Sequence, residues 1–160
     1  MKALQVTGGR GRTAVNEFLV ANHYLGRLPV WKAALALPGG PEGSWRGVVV
    51  LGSPCSRVYG KSYLEVRRIA LVPGEGAEAA RDLVRAAQSW AAYHGFSRLL
   101  AYADPNVPEG RNCPGNTDFG LWTGAGFEQI GWTRPRKSTE KGSNRRVMDG
   151  SRARFLWSVA

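Results

Sequence analysis

The chain has 160 residues, 43% of them hydrophobic, which is enough for one domain with its own core. No apolar run reaches membrane-span length, the start MKALQVTGGRGR lacks a secretory apolar stretch, and Cys55 and Cys113 have neither disulfide-scaffold nor zinc-site spacing. The expectation is therefore one cytoplasmic domain over residues 1–160, without membrane or metal, and the net charge of +10 points to a polyanionic partner, nucleic acid or a phosphate-rich cofactor.

Residues 3–7 read as a short strand and 8–11 as a glycine loop. Thr13 is expected to cap a helix that continues through Val15, Phe18, Leu19, Asn22 and His23 and stops near Gly26. Residues 31–37 and 45–51 read as strands of a hairpin, with a Gly/Pro turn over 38–44. After a loop over 52–62, Tyr63, Val66, Ile69 and Val72 mark a strand over 63–72. A Pro-Gly-x-Gly turn over 73–76 leads into a helix over 77–94. Its apolar face carries Ala80, Leu83, Val84, Ala87, Trp90, Ala91 and His94 at helical spacing.

A buried strand is expected over 98–103, a long loop over 104–117, a short helix over 118–124 and strands over 127–133 and 155–159. Between the last two, Arg134, Arg136, Lys137, Lys141, Arg145, Arg146, Arg152 and Arg154 face only Glu140 and Asp149. Without periodicity, 134–152 reads as a mobile basic loop.

The turn over 73–76 matters chemically. Gly74 and Gly76 let backbone approach a ligand, and a helix start leaves N–H groups that suit a pyrophosphate. A plain strand-to-helix turn explains the same residues.

This order of elements resembles the GNAT acyltransferases along almost the whole chain. The resemblance implies an α/β fold: a mixed, mostly antiparallel sheet with a splayed parallel pair and flanking helices. It also implies that acetyl-CoA or another acyl-CoA binds at Ile69, Leu71, Val72, Gly74, Gly76, Ala77, Ala80 and Arg81. The family's loop reads Arg/Gln-x-x-Gly-x-Gly/Ala; here no Arg or Gln opens it and Ala80 takes the last small position. The segment TGAGFEQIG (123–131) is similar to the family's helix ending in Gly-Phe, but Trp122 stands where many members place an acid tyrosine. The segments ANHYLG, VVLGSP, LEVRRIAL and YADP, with the basic tail, resemble a phage-associated branch that includes Mom-type DNA base-modification proteins. That likeness implies DNA or a modified nucleotide as partner, in a host cytoplasm.

Acyl transfer to an amine needs a base, donors on the thioester carbonyl and a proton for the leaving thiolate. Glu65 is a candidate base on the central strand, with an ion pair to Arg67 or Arg68 as the plain alternative. His23 is a second candidate, or simply a helix-end residue. Asp104 follows a strand's carboxyl end, where such sheets place ligands, but Asp-Pro also starts turns. Arg68, with Asp104 or Glu65 as partner, and Tyr24 are candidate substrate contacts. Tyr102 and Trp122 can stack a base or fill the core, and Arg136, Arg145 and Arg146 can hold phosphates. Cys113 has no supporting signature as a nucleophile. Three functions remain open: acylation of a nucleobase or base-attached amine, acetylation of a protein or small amine, and a catalytically weak nucleic-acid-binding module.

Overall fold

The computed structural model describes residues 2–106, 111–116, 118–134 and 150–160. A seven-stranded sheet runs in the order β1-β2-β3-β4-β5-β7-β6. The strands are β1 (Leu4–Val6), β2 (Ala33–Leu37), β3 (Gly47–Gly52), β4 (Tyr63–Leu71), β5 (Arg98–Ala103), β6 (Glu128–Trp132) and β7 (Ala153–Ser158). Every pairing is antiparallel except that of β4 with β5. The crossover between those two is α2 (Ala77–Tyr93), as a parallel pair requires. The helices α1 (Gly8–Asn22) and α3 (Gly120–Gly124) complete the fold.

The sheet buries both faces, so β2 is buried at every position and shows no alternation. On one face Leu83, Val84 and Ala87 of α2 pack on Leu35, Val49, Leu64 and Ile69. On the other, Val15 and Leu19 of α1 pack on Ala34, Val48, Val50 and Ala70. Each such large side chain contributes about 1.5–3 kcal/mol relative to exposure. The mixed α/β sheet with one parallel pair matches the expected architecture.

The boundaries of both longer helices differ from the sequence reading. The first helix starts at Gly8, not at Thr13, whose hydroxyl instead bonds back to the Gly9 carbonyl at 3.2 Å. The glycines that suggested a loop lie inside it. Gly11 is there because a Cβ would come within 2.7 Å of Val6 Cγ1, where the helix crosses β1. The long helix ends at Tyr93. His94 caps it, with Nδ1 2.8 Å from the Trp90 carbonyl and its ring stacked on Trp90. The basic segment lies mostly outside the described residues, Arg136, Arg145 and Arg146 included. Among the described residues, no helix is long and apolar enough to cross a membrane.

Candidate functional site

The site begins with a slip in β4. Val50 of β3 lies opposite Arg68, but Leu51 lies opposite Val66, so Arg67 is one residue too many. That extra residue is a β-bulge, which bends the strand and breaks its alternation. Leu64 and Val66 face the α2 side, and so do Ile69 and Leu71. The phase has shifted by one, which sends Arg68 to the other face with Ala70. The spacing of apolar residues in LEVRRIAL carries this signal, and the sequence reading missed it. Pairing with β5 covers only Tyr63, Leu64 and Glu65. Beyond Glu65 the two strands part, and a wedge opens between them.

A cavity of about 80 Å³ lies at this wedge. Its wall brings together Glu65, His23, Tyr24, Arg68, Tyr102 and Trp122 from β4, β5, α3 and the turn after α1. Cys55 and Arg152, which sequence reasoning did not single out for the site, also line it. Asp104 does not line it. Its N–H donates to Asn116 Oδ1 at 2.9 Å, and its own Oδ1 accepts from the Asn106 N–H at 3.0 Å. That is an Asx turn, the structural role open to an Asp before Pro.

Glu65 is buried, and burial raises its pKa above the usual carboxylate range. The opposing influences are the Cys55 N–H, which donates to Oε2 at 2.9 Å, then Arg67, whose Nε is 3.6 Å from Oε1, and then the charges of Arg152 and Arg68. His23 is buried too, and burial followed by the nearby Arg68 lowers its pKa to about 3. Its Nδ1 accepts from the Leu25 N–H at 3.1 Å, so the neutral ring carries its proton on Nε2. Burial pushes the Tyr24 phenol up to about 12, and it raises Tyr102 as well, with Glu65 next in weight. Both phenols stay protonated at neutral pH. The Arg152 guanidinium sits 5.0 Å from the Tyr102 ring.

Trp122 is 1% exposed, donates Nε1–H to the Gly115 carbonyl at 2.9 Å and packs on Phe127 and Phe155. It forms cavity floor and leaves no open face for stacking a base. Arg68 does not pair with Asp104 or Glu65. Its Nη1 donates to the Arg67 carbonyl at 2.8 Å, and its buried Nε has no partner. Burial raises the Cys113 thiol, and Sγ lies 3.6 Å from the Asn22 carbonyl, so it is a protonated donor.

Beyond the wedge, the turn before α2 keeps Gly74, Gly76 and Ala77 exposed, with open space where Cβ atoms at Gly74 and Gly76 would be. Gly74 has φ +89, a left-handed conformation that glycine adopts without strain. Glu75 is drawn aside by Arg46, with N–O distances of 2.9 and 2.7 Å, and that hydrogen bond lowers its pKa. These groups fit the phosphate end of an acyl-CoA. Ile69, Leu71 and Ala80 are buried beside them, Val72 is half-buried and Arg81 is exposed. A strap over residues 111–116 crosses the same place. The Leu71 N–H donates to the Asn112 carbonyl at 2.9 Å, and Asn112 Nδ2 bonds the carbonyls of Val72 and Glu75 at 3.1 and 3.0 Å. Arg111 Nη1 donates to the Ala21 carbonyl. No pattern in the sequence marked this strap.

A mixed sheet split between two parallel strands, with the intervening helix opening beside the split, defines the GNAT fold. Solved structures share it. An IAA acetyltransferase from Bacillus cereus superposes with a TM-score of 0.68, 15% identity and coverage of 99% of this chain and 100% of that one. The ribosomal-protein-S18-alanine N-acetyltransferase from Escherichia coli gives 0.65, 10% identity and coverage of 99% and 94%. A Bacillus subtilis acetyltransferase in complex with CoA gives 0.53, 13% identity and coverage of 80% and 77%. No family model and no curated protein sequence matches the chain.

Proposed function

We propose that the protein is an acyl-CoA-dependent N-acyltransferase whose acceptor is a nucleobase, or an amine attached to one, in DNA. The observation that carries the transferase reading is the cavity itself: a desolvated carboxylate among neutral phenols, at the point where β4 leaves β5. When bound, an acyl-CoA supplies the activated acyl carbon. The N–H groups at Gly74, Gly76 and Ala77 would hold its phosphates.

The chain's own residues divide the remaining work. Glu65 takes a proton from the acceptor nitrogen, and its raised pKa makes it a stronger base than an exposed carboxylate. Tyr102 and Tyr24, both held protonated, are the donors for the leaving thiolate, a role Trp122 cannot fill. His23 has its one free lone pair on the Leu25 N–H, so it serves as a donor and not as the base.

The net charge and the basic residues 134–154, of which Arg152 reaches the cavity, support the nucleic-acid acceptor. A second reading, an amine on a protein or small molecule, draws support from neighbours of this fold described as acting on a ribosomal-protein alanine and on spermidine. Mass spectrometry of nucleosides from DNA treated with the protein and acetyl-CoA separates the two. An acylated nucleoside supports the first reading. Unmodified nucleosides beside an acylated amine support the second.

A further inference from the structure

We propose that the cavity at the wedge contains an oxyanion subsite, in which Arg68, flanked by Arg152, holds a carboxylate or phosphate carried by the acceptor. The inference deepens the proposed function and rests on it for one point only, that the ligand is an acyl acceptor.

The first ground is Arg68 itself. Its Nε is buried without a partner, and the hydrogen bond on Nη1 goes to its neighbour's carbonyl. A buried guanidinium N–H without an acceptor is costly even on a half-buried side chain, and a bidentate oxyanion is the group that matches its fork. The bulge at Arg67 turns this side chain to the cavity face, so its placement is built into the strand.

The second ground is the surplus of donors around it. His23 has Nδ1 engaged, which leaves Nε2–H. Tyr24 adds a phenol hydroxyl, Tyr102 adds one that also hydrogen-bonds Tyr59, and Arg152 adds a second guanidinium beside Tyr102. The acceptors in the wall are already used. Glu65 receives the Cys55 N–H and faces Arg67, and Asn116 Oδ1 receives the Asp104 N–H. An incoming oxyanion supplies further acceptors to these donors, and the volume of about 80 Å³ suits a small head group.

The test has two arms. In the first, the protein is titrated with sodium phosphate, sodium acetate and sodium chloride at equal ionic strength, following the arginine Nε–H signals by NMR. Saturable movement of the Arg68 signal with phosphate or acetate, but not chloride, is expected. Arg68→Gln should weaken that binding roughly tenfold or more, and Arg68→Lys should restore part of it. Arg152→Gln should weaken it less, and it replaces Arg68→Gln if that variant does not fold. In the second arm, acyl transfer is measured to phosphoethanolamine, glycine and ethylamine. Arg68→Gln should raise KM for whichever anionic amine is preferred by a clearly larger factor than it changes KM for ethylamine. Preference for phosphate points to a nucleotide source, and preference for carboxylate to an amino-acid-like substituent.

The subsite is overturned if neither oxyanion moves Arg68 more than chloride does, or if Arg68→Gln and Arg152→Gln bind both as wild type does. Oxyanion binding that depends on Arg68, without transfer to any amine, keeps the subsite and removes the transferase reading. Transfer to ethylamine with no oxyanion binding does the reverse.

Discussion

Glu65 faces Arg67 across 3.6 Å, yet burial still outweighs that attraction and raises the carboxyl pKa. Folding therefore binds a proton there over the window from the ordinary glutamate value to the raised one. Stability falls as pH rises through that window, while the fraction of Glu65 present as the carboxylate base grows. Glu65→Gln should lower acyl transfer by roughly 10²–10⁴-fold. It should leave the melting temperature at pH 7 unchanged or higher, because a desolvated charge is removed. Steady-state rates and thermal melts check both. His23 has the opposite sign. Its pKa is lowered to about 3, so the unfolded chain binds more protons between there and 6.5. Stability should drop as pH falls below about 6.5, by an amount on the order of a few kcal/mol at full protonation of the unfolded state. Urea melts from pH 7 to 4 should show a shallower acid loss in His23→Gln than in wild type. At this scale composition and chain position single out Glu65, His23 and Arg68, and these three line one cavity. The sequence did not reveal that the lone pair of His23 is taken by Leu25, or that Asp104 closes an Asx turn. Those facts depend on which way a backbone N–H points.

At the level of elements, periodicity carried most of the fold. The 3.6-residue repeat of α2 and the β-branched run of β4 are plain in the chain. Glycines misled at the start of α1, because a helix crossing a strand closely needs a small residue as much as a loop does. Two devices of the site have no simple periodic signature. One is the bulge at Arg67, visible only as a phase slip between Val66 and Ile69. The other is the strap over 111–116. Asn112 ties it to β4 and to the turn before α2 through three hydrogen bonds spread over side chain and backbone. Gly115 has φ +84, and a Cβ there would lie 2.5 Å from Trp122 Nε1, so the strap also lies tight against the indole. Asn112→Ala removes two of the three bonds to this turn. It should destabilise the protein by about 1–3 kcal/mol, one or two lost hydrogen bonds with partly buried partners left unpaired. Hydrogen exchange gives the sharper test. The Leu71 amide, which donates to the Asn112 carbonyl, should exchange faster in Asn112→Ala. Unchanged protection would mean the strap is held by its other anchors at Ala21 and Trp122.

Across the whole molecule the net charge of +10 sets the partner question. Arg136, Lys137, Arg145 and Arg146 lie outside the described residues, and Arg152, six residues after Arg146 in sequence, lines the cavity. Each phosphate they neutralise should add about 0.7–0.9 to the salt slope of DNA binding. Replacing all four with Ser should therefore weaken binding and flatten the slope, with little change in melting temperature. Fluorescence anisotropy across a salt series reads both quantities. An unaltered slope would favour the small-amine or protein acceptor. Beneath that choice lies the claim that this fold performs acyl transfer through Glu65. Release of CoA thiol from acetyl-CoA, measured with an acceptor panel of DNA, nucleosides, peptides and small amines, tests it most directly. The account predicts acceptor-dependent release by wild type and a loss of at least about a hundredfold in Glu65→Gln. Absence of release with every acceptor, or equal release by the two proteins, would contradict it.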